Sequence, residues 1–179
     1  MAEFEPLEMA AKSLEAMAVR MRESVRPAET LTENKANNIV YTISELLDEF
    51  AIALRRMRCI AETAGAEGGR VKTICTTWRI LPTDNGLMLV RVKPETVVTL
   101  RDGRFFFHRD VVRMEVEGTR VKLCKWNYCK EFNTANREEI IEELPQILYL
   151  LRHAANALRK SAEAVLVCAR EKAPSCVRL

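Results

Sequence analysis

Residues 104–126 read RFFFHRDVVRMEVEGTRVKLCKW, and this stretch decides the class of fold. Apolar and polar residues alternate through much of it, which is the pattern of β-strands with one face on a core and the other in solvent. Gly118 separates two such runs, and Asp102-Gly103 just before the stretch is a strong signal for a tight hairpin turn. The stretch therefore predicts consecutive antiparallel strands.

The period-two pattern extends over residues 70–132, where residues 82–86 and Pro94 mark further turns. We predict an antiparallel meander of about five strands in this region. On one of these strands, Val112 and Met114 should point toward the core and leave Arg113 outside.

Two helices should precede the sheet. Apolar residues at alternating three- and four-residue spacing predict a helix over residues 6–26, which a proline ends. A broader apolar stripe predicts a second helix over residues 30–64, with a cap at Thr30 or Thr32. The glycine-rich residues 65–69 then join this helix to the sheet.

A long helix should follow the sheet, beginning at Pro145 and ending near residue 172. Its alanine-rich half, residues 154–169, allows close approach of another helix. We expect this helix to project from the domain and to form a homodimer or a higher homo-oligomer. Packing within its own subunit is the alternative.

The predicted fold class is therefore α+β, with an antiparallel β-meander packed on two N-terminal helices. The predicted domains are an α+β binding domain over residues 1–145 and an oligomerisation helix with a short tail over residues 146–179.

Positive charge and aromatic residues are concentrated in the predicted sheet. Residues 70–133 hold thirteen Lys/Arg against seven Asp/Glu, whereas residues 1–69 hold eight against twelve. Seven of the eleven aromatic residues lie in the same middle segment. Cations bind phosphates and aromatic rings stack on unpaired bases, so the combination favours a surface that binds single-stranded nucleic acid. Burial of these aromatic residues in a core is the alternative.

The late part of the sheet carries the clearest functional signal. If residues 120–130 form one strand, one face alternates three cations with two aromatic residues, namely Arg120, Lys122, Trp126, Tyr128 and Lys130. Burying an unpaired charge costs on the order of several kcal/mol, so such a face should be exposed. A turn at Trp126-Asn127 would break the alternation, and the flanking Cys124 and Cys129 leave this alternative open.

The run Phe105-Phe106-Phe107 raises a related question, because consecutive residues of a strand point to opposite faces. At least one phenyl ring must then leave the core and meet a base or a second subunit. The alternative is a strand that is buried on both faces.

The predicted nucleic-acid-binding residues are the cations and the aromatic residues of the sheet. They are Lys72, Trp78, Arg79, Arg91, Lys93, Arg104, Phe105, Phe106, Phe107, Arg113, Arg120, Lys122, Lys125, Trp126, Tyr128 and Lys130. The cations should hold phosphates, while the two tryptophans, Tyr128 and one of the three phenylalanines stack on bases.

No motif in the sequence indicates catalysis. The only two histidines, His108 and His153, lie in different predicted elements, and the six cysteines form no CxxC pair. We therefore expect no catalytic residue, no metal site, no cofactor and no enzyme activity.

The composition also bears on where the protein works. The N-terminus has no secretory apolar region, and no apolar stretch reaches the roughly 20 residues of a membrane span. We expect a cytoplasmic protein that does not enter a membrane. Abundant Glu and Arg, with a single glutamine, are consistent with a thermophile. Intracellular disulfides are unusual outside hyperthermophiles.

The order of the elements resembles the ThermoDBP-like family of single-stranded-DNA-binding proteins from thermophilic archaea. The segments that carry the resemblance are RVKTICTTWRI, RFFFHRDVVRMEV and TRVKLCKWNYCKEF in the sheet and LPQILYLLRHAANALRK in the last helix. In that family, the helices and the sheet form a basic cleft with hydrophobic residues, and a C-terminal zipper helix forms the dimer. The resemblance implies sequence-tolerant binding of single-stranded DNA, in an archaeal thermophile.

Single-stranded DNA, or RNA, is thus the expected partner. The alternative function is that of a non-enzymatic oligomeric interaction or structural protein, with the aromatic residues buried at subunit contacts.

Overall fold

Helices flank one antiparallel sheet in the computed structural model, which describes residues 4–64, 72–75 and 77–179, without the side chains of Lys72 and Thr73. Helices α1 (Glu5–Glu23) and α2 (Leu31–Ala64) precede the sheet, and α3 (Arg137–Glu142) and α4 (Leu144–Lys172) follow it. The α+β prediction is confirmed. Within these described ranges, no helix combines the length and the apolar character that a membrane span requires.

Eight strands of the described chain pair antiparallel in sequence order. They are β1 (Lys72–Ile74), β2 (Trp78–Thr83), β3 (Gly86–Arg91), β4 (Thr96–Arg101), β5 (Arg104–Arg109), β6 (Val112–Glu117), β7 (Arg120–Lys125) and β8 (Tyr128–Asn133). The meander is confirmed, but it has more strands than the five expected. Cys75 and Trp126 adopt left-handed backbone conformations, with φ of 61° and 55°, and end β1 and β7 early.

The helices pack on one face of the sheet, which we call the inner face; the opposite face is the outer face. A row of buried side chains crosses the inner face in register, running through Leu89, Val98, Phe107, Met114 and Leu123. The ring of Phe107 meets that of Phe50 in α2 edge-on, with centroids 6.1 Å apart. Each such side chain stabilises the fold by about 1.5–3 kcal/mol, so this row fixes which side of every strand faces the helices.

Helix α2 begins with the predicted cap. The backbone N–H of Glu33 donates to Thr30 Oγ1 at 3.1 Å, and the Thr30 N–H donates back to Glu33 Oε1 at 3.2 Å. This reciprocal pair satisfies two N–H groups that a helix start leaves without partners.

Helix α4 does not project from the domain, so that prediction is wrong. Ala154, Leu158 and Val165 are buried in the same hydrophobic core as α2 and the sheet. The apolar stripe that suggested a partner helix is covered by the helix's own subunit. Oligomerisation stays a prediction.

All six cysteines are paired. Cys59–Cys176 links α2 to the 3₁₀ turn Pro174–Cys176, Cys75–Cys168 links the end of β1 to α4, and Cys124–Cys129 bridges β7 and β8. The first two join residues 117 and 93 positions apart. Loop-closure entropy alone predicts about 4–5 kcal/mol of stabilisation for a bridge of that span.

Candidate nucleic-acid interface

The strand predicted over residues 120–130 is in fact a hairpin. Lys125 ends β7, Tyr128 begins β8, and these two residues pair in register. The left-handed conformation of Trp126 reverses the chain where the alternation was expected to continue. As a result, Arg120 and Lys122 lie on the outer face, whereas Tyr128 and Lys130 lie on the inner face. The prediction of one shared face is wrong.

Three of the predicted stacking residues belong to the core. Trp78 is only 1% exposed, and Phe105 and Phe107 are buried beneath α2. A base cannot reach these rings in the folded state, which corrects their assignment to the interface. Phe106 points to the outer face, as the alternation required, and is half-buried there.

Carboxylates match most of the cations on the outer face. Arg104 Nε lies 3.2 Å from Glu117 Oε1, and Arg120 Nη2 lies 3.0 Å from Glu131 Oε1. Lys122 sits opposite Glu131 in register. These residues line a groove of about 470 Å³ whose charge is balanced, so it holds little attraction for phosphate.

The other predicted cations are scattered. Arg79 is exposed on the outer face and Lys93 in the turn after β3. Arg113 Nη2 is directed toward Cys129 Sγ at 3.9 Å. Lys72 pairs with Ile80 through the backbone, and its side chain lies outside the described part of the structure.

Three exposed aromatic residues lie on the β7–β8 hairpin and the start of α4. Trp126, Tyr128 and Tyr149 are 70%, 44% and 45% exposed, and we call them the aromatic cluster. The rings of Tyr128 and Tyr149 have centroids 6.4 Å apart, and Tyr149 meets His153 edge-on at 4.9 Å. Tyr149 and His153 are four residues apart on α4 and therefore share a face of that helix.

Two lysines accompany the aromatic cluster. Lys125 Nζ lies 3.2 Å from Tyr149 Oη and 3.3 Å from His153 Nε2. Its ammonium also lies 5.4 Å from the Tyr149 ring centroid. Lys130 Nζ is 5.7 Å from the Tyr128 ring centroid and 3.2 Å from Glu143 Oε2. The charge of Lys130 is thus compensated, whereas Lys125 has no carboxylate within 4.0 Å among the described residues.

Lys125 is the last of three cations along one end of the inner face. In register, Arg91 lies opposite Thr96, Thr96 opposite Arg109, Arg109 opposite Val112, and Val112 opposite Lys125. We call Arg91, Arg109 and Lys125 the basic row. Its members stand two strands apart, or roughly 10 Å. In the part of the chain that the structure describes, none of the three forms an ion pair with a carboxylate.

Helix α4 runs beside the basic row. Arg109 Nη1 donates to Ser161 Oγ at 3.3 Å, twelve residues beyond Tyr149 on the same helix. The basic row therefore lies at the end of the sheet between the strand turns and α4, and the aromatic cluster stands at its β7–β8 end.

No protein-family model, curated protein or solved structure matches the chain. The resemblance to the ThermoDBP-like family stays a prediction.

The sequence did not point to four residues of this region: Arg109, Tyr149, His153 and Ser161. Three belong to α4, whose position against the sheet is a long-range property. Arg109 is two and four residues from Phe107 and Phe105 on the same strand, so it points to the same face as these rings. This spacing could have predicted that Arg109 faces the helices.

Proposed function

We propose that the protein binds single-stranded DNA or RNA, without strong sequence preference, at the end of the sheet beside α4. The observation that carries the proposal is the aromatic cluster of Trp126, Tyr128 and Tyr149 next to Lys125, a cation without a carboxylate neighbour in the described structure. Each exposed ring offers a base about 1–3 kcal/mol of stacking. Lysine supplies the phosphate contact that makes such binding salt-dependent.

The chemistry of the cluster favours unpaired bases and tolerates any of them. Stacking needs a free base face, which a duplex does not present. The polar groups nearest the rings, Tyr149 Oη and His153 Nε2, already contact Lys125 and so have less capacity to read base edges. Recognition by ring faces alone discriminates weakly among bases.

Intrinsic fluorescence tests this proposal, because the two tryptophans differ in position. Trp126 is exposed in the aromatic cluster and Trp78 is buried. Titration with oligo-dT should quench the wild-type emission in a saturable way. We expect Trp78→Phe to retain the quenching and Trp126→Phe to lose most of it, because only Trp126 belongs to the aromatic cluster.

The outcome also decides between binding modes. Binding of labelled oligo-dT that is as tight in Trp126→Ala as in the wild type, measured by anisotropy, would place the strand elsewhere and refute the aromatic cluster as its platform. No binding of oligo-dT at low salt, measured by anisotropy of a labelled strand, would refute the function itself.

A second candidate is an oligomeric interaction protein, and the outer face favours it. Strands β2 to β5 carry partly exposed apolar side chains there, which are Leu81, Met88, Val90, Val97 and Phe106. A second copy that covered this half of the sheet would bury them. Sedimentation velocity at rising protein concentration tests the idea: Phe106→Ser should abolish any dimer, and a strictly monomeric wild type would exclude it.

The location remains part of the proposal. Three disulfides are unusual for a cytoplasmic protein except in hyperthermophiles. If the protein works in the cytoplasm, we therefore expect its source to be a hyperthermophile.

A further inference from the structure

The end of the basic row farthest from the aromatic cluster contains buried donors without acceptors. The indole Nε1 of Trp78 and the Nε of Arg91 are both shielded from solvent, and neither has a hydrogen-bond partner among the described residues. Buried N–H groups are nearly always satisfied, so two unsatisfied donors on neighbouring residues call for an acceptor. Trp78 and Arg91 face each other across β2 and β3.

Arg91 is held against the indole. Its guanidinium carbon lies 5.7 Å from the centroid of the Trp78 ring, a cation–π arrangement that fixes the side chain over the core. Burial, followed by the positive charge of Arg109, lowers the pKa of Arg91 from its ordinary value. In register the two arginines stand two strands apart on the same face of the sheet, with Thr96 between them, and no carboxylate of the described structure pairs with either.

Arg109 is oriented from the other side. Its Nη1 donates to Ser161 Oγ at 3.3 Å, and the Ser161 hydroxyl in turn donates to the backbone oxygen of Ala157 at 2.9 Å. Thr96, which separates the two arginines in register, directs its hydroxyl to the Pro94 backbone oxygen at 2.9 Å. Among the described residues, Thr96 forms no hydrogen bond with the side chain of either arginine.

We propose that Arg91 and Arg109 form an anion site that holds a phosphate group. Guanidinium forks match phosphate oxygens in pairs, and a phosphate has enough oxygens to meet two forks at once. The site stands independently of the proposed function. The phosphate has two possible sources: the backbone of a bound strand, which depends on the proposed function, and a free phosphate, which does not.

The buried tryptophan makes the site measurable. Trp126→Phe leaves Trp78 as the single tryptophan of the chain, and its ring contacts Arg91. Titrating this variant with sodium pyrophosphate, with chloride adjusted to constant ionic strength, should change the Trp78 emission until the site saturates. Adding Arg109→Gln should weaken the apparent affinity about tenfold, through loss of a charged donor pair.

Arg113→Gln is the matched control, since Arg113 lies on the neighbouring strand but on the outer face. It should leave the titration unchanged. Arg91→Gln should abolish the response, and unchanged far-ultraviolet circular dichroism would show that the variant is folded. A signal that never saturates, or that is equal in Arg109→Gln and Arg113→Gln, would overturn the anion site.

Competition identifies the source of the phosphate. If the strand backbone supplies it, oligo-dT displaces pyrophosphate whether its 5′ end is phosphorylated or not. Displacement only by the 5′-phosphorylated strand assigns the site to a terminal phosphate, and no displacement assigns it to a free one. Pyrophosphate binding in a protein that binds no oligonucleotide would support the site while refuting the proposed function.

Discussion

The outer face of the sheet and the basic row carry the same residue types in opposite electrostatic settings. On the outer face, Arg104 and Arg120 lie 3.2 Å and 3.0 Å from the carboxylates of Glu117 and Glu131. In the described structure, no such partner lies beside Arg109 or Lys125. The groove on the outer face is thus close to neutral, while the basic row keeps its charge.

The comparison shows that register, rather than the count of cations, decides where a sheet attracts phosphate. Exposed ion pairs add only about 0–1 kcal/mol each to stability, but they cancel the local potential that would draw a polyanion. A net charge summed along the chain cannot separate these cases, because each pair joins residues on different strands.

The largest expected effect tests the assignment of the two faces. Phe107→Ala should lower the free energy of unfolding by about 3–5 kcal/mol, because it leaves a cavity beneath Phe50. Phe106→Ala, one residue away on the outer face, should cost about 1 kcal/mol or less. Chemical denaturation of both variants measures the difference, and similar losses would contradict the predicted faces.

A second pair of variants addresses affinity on the two faces of one strand. Lys125→Ala should weaken oligo-dT binding about five- to tenfold and reduce the salt slope by about 0.7, since it removes one phosphate contact. Lys122→Ala should change neither quantity, because Lys122 lies opposite Glu131 on the outer face. Equal effects in the two variants would remove the distinction between the faces.

The smallest expected effect comes from removing the two carboxylates that neutralise the arginines of the outer face. Glu117→Gln together with Glu131→Gln should change stability by about 1 kcal/mol or less, since both ion pairs are exposed. The same variant frees Arg104 and Arg120, so weak, salt-sensitive binding of oligo-dT should appear in Trp126→Ala, where the cluster is disabled. If the unpaired outer face attracts no strand, charge balance is not what keeps nucleic acid away.

The sequence predicted the elements well where local patterning determines them. The alternation around Arg113 placed Val112 and Met114 inside, as observed, and Thr30, one of the two predicted caps, caps α2. The turn at Trp126-Asn127 was predicted only as the alternative to a continuous strand, and the Trp-Asn pair lacks the glycine that marks most tight hairpins. Across this two-residue turn, Lys125 and Tyr128 pair and share a face although they are three residues apart. Tyr128 and Lys130 therefore lie on the face opposite to the one that an uninterrupted strand would give them.

The composition of the candidate site was only partly predictable. Lys125, Trp126 and Tyr128 follow from the basic, aromatic character of their segment. Tyr149 and His153 join them only because α4 packs along the sheet end. That placement depends on contacts between parts of the chain far apart in sequence.

The two long-span disulfides also determine what a protease can do to this chain. Cys59–Cys176 and Cys75–Cys168 both enclose residues 76–167, which include most of the sheet and most of α4. A single cut within that interval leaves two fragments that are still joined by at least two covalent links. The fragments cannot diffuse apart, so their reassembly does not depend on protein concentration. Damage at an exposed turn would then go unnoticed on a non-reducing gel and become visible only when the disulfides are reduced.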